Sequence, residues 1–176
     1  AATTKPFGYM PFLPGPGVGG HCLPIDPSYL SWAIEQKSGK SFRFVELANS
    51  VNQSMPHYVS GKIARMLEVS TLTNKKILIV GLAYKANTGD VRESPALEIS
   101  SLLTSSGAEV AAIDSFVVDA LWPPTIKRVV STDDYVADAA VIVTDHDDTD
   151  KAGLNKLGIP ILDTRNCMTG PNVHPL

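Results

Sequence analysis

The segment from Lys76 to Asp114 constrains the fold more than any other stretch. Lys76-Ile-Leu-Ile-Val-Gly81 is a short β-branched run ending in glycine, the pattern of a strand buried on both faces. Ser94-Pro95 then opens a helix, with serine at the N-cap and proline at the first helical position. Ala96, Leu97, Ile99, Leu102 and Leu103 supply its apolar face, and Gly107 ends it. Glu109-Val-Ala-Ala-Ile113 is a second strand with Asp114 at its tip. Two strands joined by a crossover helix make a βαβ unit, and such units build parallel sheets. Farther on, Ala139–Val143 and Ile159–Leu162 read as strands, with short helices predicted at about 132–138 and about 150–157. The expectation is an α/β domain over residues 74–176, with a doubly wound, mostly parallel, Rossmann-like sheet.

Residues 1–73 carry no strand signal. The first 21 are rich in proline and glycine and read as a loop or arm. Phe7, Tyr9, Met10, Phe12 and Leu13 are interleaved there, more large apolar side chains than a solvated linker needs, so they are expected to dock on a core, a partner or a flat ligand. A helix is predicted from Asp26-Pro27, with Asp26 as N-cap, Leu30, Ala33, Ile34 and Lys37 at helical spacing, and Gly39 at the C-terminal cap. A second helical run has faces at Phe44, Leu47, Ala48 and Val51, and at Val59, Ile63, Met66 and Leu67. Pro56 is expected to break or kink it, with Ser54 capping the helix on its far side. With so few helices present, these apolar faces point to packing against another subunit.

Composition narrows the function classes. A hydrophobic fraction of 44% against 19% charged residues favours a packed core over disorder. A net charge of −3 argues against a nucleic-acid partner. The longest apolar runs, such as Ile77–Leu82, are too short to span a bilayer. No secretion signal is visible, so Cys22 and Cys167 read as reduced thiols in a cytoplasmic protein. The chain opens on Ala1 without an initiating methionine, which suggests a fragment.

In open α/β sheets, ligands bind beyond the carboxyl ends of the strands. The segments expected there are 81–94, 114–116, 144–148 and 163–166. They bring Lys85, Arg92 and Arg165 to one rim near a helix N-terminus, and converging cations there suit a phosphate or diphosphate. A Gly-x-Gly-x-x-Gly fingerprint does not follow the first strand, because Gly81-Leu-Ala-Tyr-Lys85 lacks its second glycine. Gly15-Pro-Gly-Val-Gly-Gly20 has glycines but no strand before it. This domain is therefore expected to bind a nucleotide in another way. The Asp145-His-Asp-Asp148 run reads as a solvated strand-end turn rather than a metal site, and Cys167 as structural.

Pro14–Asp26 holds three prolines, four glycines, His21 and Cys22. Three readings stand for Cys22: an inert buried thiol, a metal ligand with His21 and His146, or a nucleophile set just before a helix start, where the dipole favours a thiolate. Asp26 reads as an N-cap that also orients a water. His21 reads as a hydrogen-bonder that fixes the loop.

Pro14–Asp26, Gly81-Leu-Ala-Tyr-Lys85, Asp90-Val-Arg-Glu-Ser-Pro95 and Asp163-Thr-Arg-Asn166, in this order, resemble the UDP-glucose/GDP-mannose dehydrogenase family. The first segment looks most like its UDP-N-acetylglucosamine 6-dehydrogenase branch. The resemblance implies oxidation of the C6 alcohol of a UDP-sugar to a carboxylate with two NAD+. Here Cys22 passes through a thiohemiacetal and a thioester, and Asp26 positions the hydrolytic water. It further implies that Pro11, Phe12, Leu13, Pro14, Gly15 and Gly19 line the sugar nucleotide, that Lys85 contacts it, that Arg165 reaches its UDP end, and that Arg92 reaches the NAD. Residues 1–73 then form part of a helical, dimerising middle domain, and residues 74–176 the UDP-sugar-binding domain. The family's NAD fingerprint and its catalytic lysine and asparagine would lie upstream of residue 1, leaving this segment alone without turnover. Two positions depart from the UDP-glucose branch: Ile25 stands where that branch has lysine, and His21 where it has serine. The alternatives are a UDP-glucose 6-dehydrogenase and a non-catalytic nucleotide-sugar-binding or assembly module.

Overall fold

The computed structural model describes residues 4–8 and 12–176. The chain begins with two helices, α1 (Cys22–Ser38) and α2 (Arg43–Met66), followed by β1 (Lys76–Val80). Then come α3 (Pro95–Ser105), β2 (Glu109–Ile113), β3 (Lys127–Arg128), β4 (Ala139–Ile142), α4 (Lys151–Lys156), β5 (Ile161–Asp163) and β6 (Val173–Pro175). The strands form one six-stranded sheet in the order β3-β2-β1-β4-β5-β6. Every pairing is parallel, with Ile77 beside Val110 on one flank and Ala139 on the other. The chain winds outward from β1 to β3, then returns to β4 and winds the other way. The expected doubly wound Rossmann-like architecture is what forms, and its switch point lies between the carboxyl ends of β1 and β4.

Each face of the sheet has its own core. Ile77, Ile79, Val110, Ala112 and Val141 pack with Ile99 and Leu103 of α3 and with Val59 and Ile63 of α2. Leu78, Val80, Ala111, Ala140 and Ile142 pack with Tyr135 and with Leu154 of α4. Val59 and Ile63 are fully buried, and burial of each such side chain stabilises the fold by about 2 kcal/mol. The later half of α2 thus belongs to the sheet's own core, so the two units expected on either side of residue 73 share packing. Ser94 caps α3 as predicted, its hydroxyl accepting from the Ala96 amide at 3.2 Å.

The helical region differs from the sequence-based expectation in several places. α1 starts at Cys22, five residues before the predicted first helical residue Pro27, and Asp26 is not its N-cap. Pro24 lies in the first turn, where an amide N–H would have no partner anyway, and Pro27 lies inside the helix at the cost of one backbone bond. Gly39 does close α1, with φ of 66° and its N–H on the Glu35 carbonyl at 2.8 Å. α2 runs unbroken through Pro56, whose ring is buried, and the Ser54 hydroxyl donates back to Val51 instead of capping a new helix. The helix predicted at about 132–138 is a 3-10 turn, Thr132–Asp134. The edge strands β3 and β6, two and three residues long, have no counterpart among the predicted elements.

α1 buries none of its residues. Tyr29, Leu30 and Trp32 of α1 and Phe44, Leu47 and Val51 of α2 are exposed. In the N-terminal arm, Phe7, Phe12 and Leu13 are exposed as well, so they do not dock on this chain's core. Tyr9, Met10 and Pro11 lie outside the described residues.

Candidate functional site

The glycine-rich loop ahead of Cys22 lies across the carboxyl end of the sheet. The Asn52 side chain ties it to α2, its Oδ1 accepting from the Val18 amide at 2.7 Å and its Nδ2 donating to the Val18 carbonyl at 3.3 Å. The Gly20 amide donates to the Arg92 carbonyl at 3.2 Å. A β-carbon on Gly19 would collide with the Glu93 carbonyl oxygen, and one on Gly20 would stand 2.8 Å from the Tyr84 ring. Glycine is used here because the loop backbone rests directly on the loop after β1. The outcome is that Cys22 opens α1 as an exposed free thiol at the helix N-terminus. Asp26, one turn on, is also exposed. Residues four apart share a helix face, about 5–6 Å between β-carbons, a pairing that a helix start at Asp26 would not allow. His21 is exposed, occupies the N-cap position and makes no capping hydrogen bond with its side chain, so it does not fix the loop in that way. The inert buried reading of Cys22 does not hold, and no group of three or more His, Cys, Asp or Glu among the described residues could hold a metal.

The three cations expected at this rim differ in setting. Lys85 is exposed, with its ammonium 5.6 Å from the centre of the Tyr84 ring and no carboxylate pairing with it among the described residues. Tyr84 therefore carries the Cys22 loop and sits under Lys85 at once. Arg92 is exposed and forked onto Asp90, with Nε and Nη2 donating to the carboxylate at 3.0 and 2.6 Å. Hydrogen bonds from the Arg92 side chain and backbone hold the Asp90 carboxyl down at about 2. Arg165 is half-buried. Its Nε donates to the Val143 carbonyl at 2.7 Å, and no carboxylate among the described residues pairs with it. Burial works against the Arg165 charge and lowers its pKa, so an anion bound there would supply what the protein does not. A β-carbon on Gly15 would stand 2.7 Å from Arg165 Nη1, which puts the Cys22 loop against this guanidinium.

Beneath the rim lies a polar knot that local sequence does not reveal. Asp114 accepts from the Leu82 and Ala83 amides at 2.7 and 3.0 Å, and from the Phe116 and Val117 amides at 2.9 and 3.1 Å. His146 Nε2 lies 3.0 Å from the same carboxylate. Burial works to raise the Asp114 carboxyl, but the bonds from His146, Ala83 and Leu82 outweigh it and hold it at about 2. The amides at the end of β1 are the ones a dinucleotide fold offers to a pyrophosphate, and here a carboxylate already occupies them. His146 is buried, not solvated as predicted, while Asp148 accepts from Ser115 at 2.6 Å and Asp145 from Lys151 at 2.9 Å. Cys167 is half-buried beside Asp163, and desolvation together with that carboxylate pushes its thiol up to about 12.

Two family models match the chain. That of the UDP-glucose/GDP-mannose dehydrogenase family UDP-binding domain matches residues 78–170, and that of the family's central domain matches residues 1–54. The chain belongs to the UDP-glucose/GDP-mannose dehydrogenase family. The UDP-binding-domain match contains Lys85, Arg92 and Arg165, and the central-domain match contains Cys22 and Asp26. Among relatives, the UDP-N-acetyl-D-mannosamine dehydrogenase of Methanocaldococcus jannaschii is 37% identical over 165 residues, covering 88% of this chain and 36% of that protein. The enzyme of the same name from Pyrococcus horikoshii is 33% identical, covering 91% of this chain and 38% of its own length. The structure of the UDP-D-ManNAc dehydrogenase from Pyrococcus horikoshii superposes with a TM-score of 0.76 at 31% identity, covering 99% of this chain and 42% of that one. A UDP-glucose dehydrogenase from Pyrobaculum islandicum superposes with a TM-score of 0.78 at 25% identity, covering 92% and 37%. The chain thus spans little more than a third of these family members. Its fold is that of nucleotide-sugar dehydrogenases, and no helix among the described residues is long and apolar enough to cross a membrane.

Proposed function

We propose that this chain supplies the nucleophile and the nucleotide-binding wall of an NAD-dependent, cytoplasmic dehydrogenase that oxidises C6 of a UDP-N-acetylhexosamine to the uronic acid. One observation carries the reading. The loop that ends in an exposed Cys22 at a helix start rests on the Lys85 loop and against Arg165. An exposed thiol and two cations with no carboxylate partner among the described residues are thereby joined in one packed assembly. The relatives named for UDP-N-acetyl-D-mannosamine support an N-acetylhexosamine over glucose, as does Ile25.

In this reading Arg165 and Lys85 hold the diphosphate, and Pro11, Phe12, Leu13, Pro14, Gly15 and Gly19 line the nucleotide sugar. The Cys22 thiolate adds to the C6 aldehyde, forming a carbon–sulfur bond and a thiohemiacetal. Loss of hydride from C6 leaves a thioester. Water, positioned by Asp26 one turn along α1, adds to the thioester carbonyl, and the carbon–sulfur bond breaks to release the carboxylate and the thiolate. A covalent link keeps the substrate in place between the two oxidations. Bound NAD+ would accept the hydride in each oxidation, first as the C6 alcohol loses a hydride and its hydroxyl proton to become the aldehyde, then as the thiohemiacetal becomes the thioester. Arg92, exposed beside the loop, is the residue of this chain suited to an anionic cofactor presented from outside it. Residues 1–73 act as the dimerising middle segment and residues 74–176 as the UDP-sugar domain, and the apolar side chains left open on α1 and α2 are covered by a second copy.

The test follows NADH formation by the full-length protein with UDP-ManNAc, UDP-GlcNAc and UDP-glucose. Turnover of either N-acetylhexosamine, preferred over UDP-glucose, supports the reading. Preference for UDP-glucose replaces the substrate, and no turnover of any of the three with intact UDP binding favours a non-catalytic binding module.

A further inference from the structure

The loop that carries Lys85 is fixed at both ends by groups distant in sequence. At its start, the Ala83 amide donates to Asp114 at 3.0 Å, and the Ala83 carbonyl accepts from the Thr144 hydroxyl at 2.6 Å. At its end, the Asn87 amide donates to His146 Nδ1 at 2.9 Å, and Asn87 Oδ1 accepts from the Asp147 amide at 3.0 Å. Asn87 is held there with φ of 59°, a left-handed conformation that needs such anchoring. Lys85 and Ala86 between these anchors are exposed. With no carboxylate pairing with it among the described residues, the Lys85 ammonium is placed by the loop and by the Tyr84 ring next to it in that loop.

The His146 ring is built for this. A backbone N–H points at Nδ1, so that nitrogen must accept, and the ring proton lies on Nε2, where it is donated to Asp114. The ring is only 4% exposed and stacks on Phe116 with centroids 4.7 Å apart. An apolar side chain could fill the same space, but it would leave the Asn87 amide and one lone pair of Asp114 without a partner.

We infer that His146 is a positioning residue for substrate binding: through Nδ1 it holds Asn87, and through Asn87 the Lys85 loop. This rests on the reading of Lys85 as a contact of the UDP diphosphate.

Two substitutions separate the ring's two bonds. His146→Asn places an acceptor near Nδ1 and gives up the donor to Asp114. His146→Gln reaches the Nε2 position, keeps a donor to Asp114 and gives up the acceptor for Asn87. The probe is UDP, titrated calorimetrically into the full-length protein, with thermal midpoints confirming that every variant is folded. His146→Gln is expected to weaken UDP binding about tenfold, the value of one hydrogen bond, and His146→Asn by less than about twofold. On a Lys85→Ala background, His146→Gln is expected to add less than about twofold, because the route to the ligand is already cut. A role confined to stability moves the thermal midpoints of both variants and the affinity of neither, and that result overturns the inference. Full additivity with Lys85→Ala overturns it as well. If Lys85→Ala weakens UDP binding while His146→Gln does not, the inference alone fails. If Lys85→Ala leaves the affinity unchanged, the reading of Lys85 fails first and takes the inference with it.

Discussion

Gly15 and Arg165 are packed so closely that residue 15 has no room for a β-carbon, which would stand 2.7 Å from Nη1 and 3.4 Å from Cζ. The guanidinium cannot easily retreat, because its Nε is bonded to the Val143 carbonyl at 2.7 Å. The Cys22 loop and the Arg165 side chain are therefore one mechanical unit.

Gly15→Ala tests that unit. The added methyl group pushes Arg165 off its position or lifts the loop away from it. UDP binding to the full-length protein is expected to weaken about tenfold, the loss of one charge-assisted contact. Thermal melting should shift little, since the contact lies at the rim and not in either core. Calorimetric titration of UDP checks the first expectation and a melting curve the second.

Acid should loosen the knot around Asp114. Its carboxyl titrates at about 2 in the folded chain, below its ordinary value of 3.8. A depressed folded pKa means that the unfolded chain binds the proton more readily in that interval. The stabilisation is complete above the ordinary value and is lost as the pH falls through the folded one, so the window lies between about pH 4 and about pH 2. Its size is about 2 kcal/mol. Asp114→Asn should be less stable at neutral pH and should lack this part of the acid transition, as read by urea unfolding at a series of pH values.

The two thiols should differ sharply in reactivity. Cys22 is exposed, whereas Cys167 is half-buried and its thiol is held up at about 12 by desolvation and by Asp163. Iodoacetamide at pH 8 under native conditions is expected to modify Cys22 alone, and both residues after unfolding. Peptide mass spectrometry gives the stoichiometry and the site.

Much of the fold is legible in the chain. The βαβ unit announces itself because strands buried on both faces need apolar runs, and because Ser94-Pro95 and Gly39 do at helix ends what those residue types do anywhere. The start of α1 is not legible, for a physical reason. Asp26-Pro27 has the local chemistry of a helix start, but docking of Gly19 and Gly20 on Tyr84 and Glu93 lets the helix begin at Cys22. Pro56 has the local chemistry of a breaker, and burial of its ring in α2 overrides the lost backbone bond. β3 and β6 are too short to show a period of two and exist because a neighbouring strand offers them a ladder. The Asp114–His146 pair joins residues 32 apart, and a single histidine in an acidic turn gives no local sign of a partner so far away. The signal that could have found it is positional: both residues come just after strands of one parallel sheet, at ends that must meet.

Cys22 acts as the covalent nucleophile at a site whose binding groups lie elsewhere, on Lys85 and Arg165, in the function proposed above. The most direct test is the kinetics of Cys22→Ala in the full-length protein, measured by NADH formation alongside calorimetric titration of UDP. Turnover is expected to fall by about a thousandfold or more while the affinity for UDP changes by less than about threefold. A variant that keeps wild-type turnover would contradict the account.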